Sequence, residues 1–148
     1  MVERDEWETP DELYDQLNKQ HGFVFDCCAN DLNKKCNTWF LDFLKQDIEM
    51  NGVGWMNPPF SKARTMFKHF FEVVSEGVSI YRCDNMETKV WQDFIFPNAD
   101  WIFIPKGRIN YVGFDGNGSR FPSALIGIGV DEPKGLIGHV LRCDNETY

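Results

Sequence analysis

A chain of 148 residues with 15 Lys plus Arg against 23 Asp plus Glu, net charge −8, has the length of one domain and buries enough surface to hold a core without disulfides or metal. Its 43% apolar content, with 13 Phe and 5 Trp, excludes a disordered chain. The acidity excludes a protein that holds nucleic acid by bulk charge alone, although it leaves room for a local basic groove.

The opening MVERDEWETP has no apolar run, so no signal peptide is expected. No stretch approaches the ~18 consecutive apolar residues of a membrane span. The five cysteines (27, 28, 36, 83 and 143) are odd in number and form no CxxC pair, which fits free thiols in a reducing cytoplasm. Cys36 and the three histidines (His21, His69, His139) lack zinc-ligand spacing.

In chain order, Thr9-Pro10-Asp11-Glu12 reads as a helix start, with Thr9 as N-cap, Pro10 in the first helical position and acids at the positive end of the dipole. Leu13, Tyr14 and Leu17 give that helix an apolar stripe, and Gly22 stops it. Phe23-Val24-Phe25 predicts a short buried strand ending at Asp26, and residues 27–37 a loop or a short turn of helix. Thr38–Leu41 predicts a strand ending at Asp42, and Val53–Met56 a third, closed by Asn57-Pro58-Pro59. Two prolines cannot lie within a central strand, so the chain must leave the sheet there. Residues 61–76 carry Ala63, Met66, Phe67, Phe70, Phe71 and Val74 at helical spacing. Gly77 is expected to end this helix before a strand over Val78–Tyr81. Met86–Phe96 reads as helix, Trp101–Ile104 as strand and residues 113–120 as a glycine-rich loop. Ala124–Val130 and Leu136–Leu141 read as late strands, expected to form a hairpin around residues 131–135. No linker divides the chain, so residues 1–148 are read as one domain.

Strands alternating with helices predict an α/β fold with a largely parallel sheet and helices on both faces. Ligands bind such sheets at the carboxyl ends of the strands. Asp26, Asp42 and Asn57, each at a predicted strand end, should therefore line one rim.

Asn57-Pro58-Pro59-Phe60 carries the most chemistry. The Asn57 amide oxygen and the Pro58 carbonyl can accept both protons of a planar amino group, and the Phe60 ring offers a surface for the flat system bearing it. An ordinary turn with a buried Phe is the competing reading of the same four residues.

This tetrapeptide resembles the (Asn/Asp)-Pro-Pro-(Tyr/Phe) motif of amino-group methyltransferases that use S-adenosylmethionine. Trp7-Glu8-Thr9-Pro10 resembles the Thr-Pro element ahead of the cofactor strand in N6-adenine DNA methyltransferases. Phe23–Asn30 (FVFDCCAN) resembles the Asp-Pro-Cys-Ala-Gly form of the cofactor motif. Together with Asp5-Glu6-Trp7, Asn33–Cys36, Trp55–Phe60, Thr88-Lys89-Val90-Trp91, residues 106–111 and Phe121–Ala124, the order is similar to the phage N-6-adenine-methyltransferase (phage Dam-like) family. The resemblance covers residues 5 to about 130.

The resemblance implies a reduced Rossmann-like class I methyltransferase fold and methyl transfer from S-adenosylmethionine to adenine N6 in DNA. Asn57 and Pro58 would take the N6 protons and Phe60 would stack on a base flipped from the duplex. Thr9, Pro10, Asp26, Asn30 and Asp42 are the candidate cofactor contacts. Asp42 reads equally well as a solvated turn acid, and Asp47 is a further candidate. Lys62, Arg64, Lys106, Arg108 and Arg120 are candidate DNA contacts, with Tyr111 or Phe114 as wedges. A phage or prophage origin and action in the host cytoplasm follow from the same resemblance.

Two departures stand out. Ala29-Asn30-Asp31 replaces the common Gly-x-Gly, and only 30 residues lie between Asp26 and Asn57. No separate target-recognition domain is evident, so any selectivity must come from loops such as 106–120. Cytosine N4 and protein glutamine share the planar amino group and are alternative substrates. A catalytically inactive acidic binding module is the alternative from another class. Bases after Asn57 (Lys62, Arg64, Lys68) and around the glycine-rich loop, against acids at 3–15 and 131–144, predict a polarised surface and salt-sensitive DNA binding.

Overall fold

A computed structural model describes residues 8–47, 49–111 and 121–143. Helix α1 spans Asp11–His21. It starts one residue later than the Thr9 cap predicts: Pro10 holds the cap position, and its carbonyl accepts the Tyr14 N–H at 3.1 Å. Thr9 is buried, and its hydroxyl caps nothing. Gly22 terminates the helix in the left-handed conformation (φ 67°), with its N–H on the Asn18 carbonyl.

The strands are β1 (Phe25–Asp26), β2 (Thr38–Trp39), β3 (Met50–Met56), β4 (Val74–Arg82), β5 (Trp101–Pro105), β6 (Ser123–Ile128) and β7 (Gly138–Arg142). They form one seven-stranded sheet in the order β2-β1-β3-β4-β6-β5-β7. The expectation of a largely parallel sheet needs correction. β2, β1, β3 and β4 pair in parallel, whereas β4–β6, β6–β5 and β5–β7 are all antiparallel. The sheet is therefore mixed, and its longest ladder, six residue pairs between β4 and β6, is antiparallel.

The expected hairpin between β6 and β7 does not form. Both strands run antiparallel to β5 and flank it, so they run parallel to each other, and a tight turn cannot join parallel neighbours. The connecting segment instead crosses towards α1. Gln16 Nε2 donates to the Gly135 carbonyl, Gln20 Nε2 to the Glu132 carbonyl, and the Lys134 N–H to Gln20 Oε1, all at 2.8–2.9 Å.

A single turn of 3-10 helix over Phe60–Lys62 leads into helix α2 (Ala63–Val73). The helix ends four residues before Gly77, because β4 begins at once with Val74. Gly77 lies within β4, opposite Gly54. A Cβ at Gly77 would lie 2.9 Å from the Phe70 ring and 3.1 Å from the Gly54 carbonyl. The glycine thus serves close approach within the sheet and not the helix stop that its sequence position predicts. The helix expected over Met86–Phe96 is reduced to one π turn, Val90–Ile95.

Alternation along the strands divides the core between two faces of the sheet. Trp55, Val78, Ile80, Trp101, Phe103 and Leu125 pack with Tyr14 and Leu17 of α1. Their chain neighbours Met56, Tyr81, Ile102, Ala124 and Ile126 pack with Phe67 and Phe70 of α2 and with Trp91 and Ile95 of the π turn. Among the described residues, no helix is long and apolar enough to cross a membrane.

Candidate active site

Because β1, β3 and β4 are parallel neighbours, their carboxyl ends share one rim. Asp26 closes β1, opposite Trp55 of β3, and Asn57 follows β3 directly. The rim is fixed from below, where the buried Ser79 of β4 donates its hydroxyl to the Met56 carbonyl at 2.7 Å.

Asp26 is buried at 2% exposure. Its Oδ1 accepts the Cys28 N–H at 3.2 Å and its Oδ2 the Lys35 N–H at 3.0 Å. Burial raises its pKa from 3.8 to about 6, against the lowering effect of those two donors and of the Lys35 charge. The Lys35 ammonium is itself held by Asp11 at 2.6 Å. Where a glycine loop is the common form, Asn30 and Asn33 exchange bonds. The Asn30 N–H donates to Asn33 Oδ1 at 2.7 Å, and Asn30 Oδ1 accepts the N–H groups of Leu32 and Asn33. Side-chain amides here close a turn that glycine would close by conformational freedom alone.

Above this turn lies a cavity of about 170 Å³, lined by backbone and side chains of residues 27–30, Asn33, Leu41, Phe43, Asn57, Pro59, Lys62 and Met66. Of the residues expected at the cofactor site it gathers Asn30 alone, beside Asn57 of the expected catalytic motif. Asp26 lies beneath it, one residue before the lining begins. Thr9 and Pro10 do not line it, although the Thr9 hydroxyl is buried without a hydrogen-bond partner among the described residues. Asp42 is not at a strand end: β2 stops at Trp39, and Asp42 is exposed, 3.5 Å from Lys45. Asp47 is exposed and also outside the lining. Leu41, Phe43 and Met66, for which the sequence suggests no ligand contact, also line it; a hydrophobic cluster beside a loop is their one sequence signal. Phe43 is held by edge contact with His69, whose ring nitrogen meets the Gln46 carbonyl.

A second cavity, of about 390 Å³, opens on the other side of the motif, lined by Phe60, Ser61, Ala63, Arg64, Tyr81, Thr88, Lys89 and Val90. Phe60 is half-buried and meets three rings edge-on: Phe121 at 5.2 Å, Tyr81 at 5.9 Å and Tyr111 at 6.1 Å. Tyr111, expected as a wedge into DNA, is only 4% exposed, and its hydroxyl meets Ser123 Oγ at 3.0 Å. It supports Phe60 from behind. Burial pushes its phenol well above the ordinary range. Arg82 lies over the Phe121 ring at 4.6 Å and forks onto Asp84 with two bonds of 2.7 Å.

Lys62 and Arg64 are exposed, one at each cavity. Lys106 and Arg108 are exposed after β5 and line neither. Arg120, Phe114 and the glycine-rich loop, like Asp5-Glu6-Trp7, lie outside the described residues. The thiols of Cys27, Cys28, Cys36 and Cys83 are all pushed up by burial, which keeps them protonated and unsuited to nucleophilic attack. Among the described residues no carboxylate lines either cavity, whereas Lys62, Arg64 and Lys89 do. On a chain of net charge −8, both openings are therefore locally cationic.

A family model described as DNA N-6-adenine-methyltransferase (Dam) matches residues 1–123. No curated protein matches the chain.

Proposed function

Since the chain belongs to the DNA N-6-adenine-methyltransferase (Dam) family, we propose that it methylates adenine N6 in DNA with S-adenosylmethionine as donor, on a reduced Rossmann-like class I fold. The observation that carries this reading is the position of Asn57-Pro58-Pro59-Phe60. The motif leaves β3 between two cavities, with Asn57 lining one and Phe60 the other.

The residues of the first cavity fit S-adenosylmethionine. Leu41, Phe43 and Met66 offer an apolar slot for its adenine, and Asn30 and Asn33 offer amides for its polar groups. The Thr9 hydroxyl, buried without a partner among the described residues, and the desolvated Asp26 carboxylate are the further candidates. An ammonium near Asp26 would offset the cost of burying its charge. When bound, S-adenosylmethionine supplies an electrophilic methyl group. The protein's part is orientation. The lone pair of adenine N6 is delocalised into the ring, so the nitrogen is a poor nucleophile. Accepting its two protons on the Asn57 amide oxygen and the Pro58 carbonyl favours a pyramidal nitrogen and stabilises the positive charge that develops there. Phe60, braced by Phe121, Tyr81 and Tyr111, takes the face of a base that has left the stack. No strong base is needed before attack. We further propose, from the resemblance of residues 5 to about 130, a phage or prophage gene product acting in the host cytoplasm.

The test is transfer of a tritium-labelled methyl group from S-adenosylmethionine to DNA, followed by digestion to nucleosides. The expected product is N6-methyladenine. Label in N4-methylcytosine would move the substrate to another amino group. Absence of transfer, together with no thermal stabilisation by the cofactor, would leave an inactive binding module.

A further inference from the structure

Arg64 and Lys89 reach the second cavity from different elements. Arg64 is on the first turn of α2, and Lys89 immediately precedes the π turn. Both are exposed, and among the described residues neither forms an ion pair, although other cations of the molecule do, including Lys35, Lys45, Arg82 and Arg142. The backbone that presents Lys89 is firmly held. Thr88 donates its N–H and its hydroxyl to the Asn85 carbonyl at 3.1 and 2.8 Å, and the Thr88 carbonyl accepts the Gln92 N–H at 2.9 Å. Trp91, fully buried, donates its indole N–H to the Arg82 carbonyl at 3.1 Å and so fastens the π turn to the end of β4. A π turn in place of a regular helix changes where its flanking residues project, and such turns recur at functional sites.

Two cations without carboxylate partners, flanking a cavity whose wall includes an aromatic ring, suit an anionic group attached to a planar one. We propose that Arg64 and Lys89 form a phosphate clamp that holds the backbone of the target deoxynucleotide while its base meets Phe60. This rests on the proposed reading of Phe60 and adds to it a substrate requirement: the site recognises a nucleotide with its phosphate, and not the base alone. Arg64 and Lys89 together would set that requirement, Lys89 being presented on backbone that Thr88 and Trp91 hold. A planar guanidinium and a point-charge ammonium suit two directions of approach to phosphate oxygens.

The test is fluorescence anisotropy of a labelled single-stranded oligodeoxynucleotide containing adenine, titrated at several salt concentrations. The proteins compared are the wild type, the double variant Arg64→Ala/Lys89→Ala, a variant carrying Lys106→Ala and Arg108→Ala, and a control carrying Lys19→Ala and Lys134→Ala. Removing two phosphate contacts should lower the slope of log affinity against log salt by about 1.4, since each single-strand contact contributes about 0.7. The Arg64/Lys89 variant should bind roughly tenfold more weakly than wild type at physiological salt, and the control within about twofold, as expected for that loss of charge. Deoxyadenosine monophosphate should displace the oligonucleotide better than deoxyadenosine or inorganic phosphate. An unchanged slope in the Arg64/Lys89 variant overturns the clamp, as does wild type that fails to bind, or a loss found only in the Lys106/Arg108 variant. Equal displacement by phosphate and by deoxyadenosine monophosphate overturns it too, because the site is then a simple anion site. Stabilisation by S-adenosylmethionine is read in parallel. If it persists while the slope is unchanged, the clamp fails and the methyltransferase reading stands. If cofactor stabilisation and methyl transfer are absent from wild type while the slope responds, the methyltransferase reading fails and the phosphate contacts stand.

Discussion

The two halves of the sheet are built differently. On one side β1 and β2 are two residues long, paired in parallel and joined by turns that side-chain amides hold in shape. On the other, β4, β6, β5 and β7 form antiparallel ladders of up to six residue pairs, filled by Trp101, Ile102, Phe103, Leu125 and Ile126. The first cavity and its polar residues belong to the short parallel half, while the second lies where that half meets β4. Stability and chemistry are thus carried by different residues, and substitutions should separate them.

The largest expected effect is on the antiparallel half. Trp101 is buried, lies against Gly127 and donates its indole N–H to the Val130 carbonyl at 2.8 Å. Trp101→Ala should cost about 3–5 kcal/mol of stability, as truncation of a buried aromatic does, measured by denaturant unfolding. Asn57→Ala should do the converse: transfer falls about 10²–10³-fold, while the unfolding midpoint and cofactor stabilisation are retained. If Asn57→Ala lowered stability as much as Trp101→Ala, the division between the halves would be wrong.

A pH series sharpens the division further. Asp26 has its folded pKa raised from 3.8 to about 6. The stability that this group contributes is therefore complete below its unfolded value and lost as pH rises through about 6. A cationic ligand has the opposite demand, since it needs the ionised form. S-adenosylmethionine affinity, read by calorimetry, should be roughly tenfold weaker at pH 5 than at pH 7, and Asp26→Asn should flatten that profile. The smallest effect belongs to the seam between the halves. Ser79→Ala removes the bond to the Met56 carbonyl and should cost about 1 kcal/mol, with a fall in transfer rate that exceeds the change in cofactor binding.

What the sequence made legible follows from the range over which each feature is determined. Helix α1, its Gly22 stop and the exit of β3 at Asn57-Pro58-Pro59 are local, set by apolar spacing, left-handed backbone and proline. So is the pairing of apolar stripe with core in α2, whose Met66, Phe67 and Phe70 are buried as their spacing requires. The family was legible because short local motifs, from Trp7-Glu8-Thr9-Pro10 through Asn57-Pro58-Pro59-Phe60 to Phe121–Ala124, follow one another in a set order. Gly77 was misread because its reason is non-local: the Phe70 ring and the Gly54 backbone crowd the position. The late strands fall where their sequence predicts, but their pairing does not, since no local signal says that β5 will slip between β6 and β7. Tyr111 reads as an exposed wedge in a polar stretch, yet Phe60 and Phe121 draw it into the core. Lys89 carries no local signal separating it from any surface lysine. It acquires a partner in Arg64 through the docking of the π turn beside α2.

The crossing segment between β6 and β7 has a consequence in time. Gln16 and Gln20 complete their hydrogen bonds with residues more than 110 positions further along the chain. Bonds of such long sequence separation close late, because the intervening chain must first be ordered. As the polypeptide is synthesised, α1 can coil early but cannot finish its seat until the segment around Gly135 has emerged. The helix that begins beside Thr9-Pro10 is made before the strands it packs on and, by this wiring, is among the last of these elements to be locked.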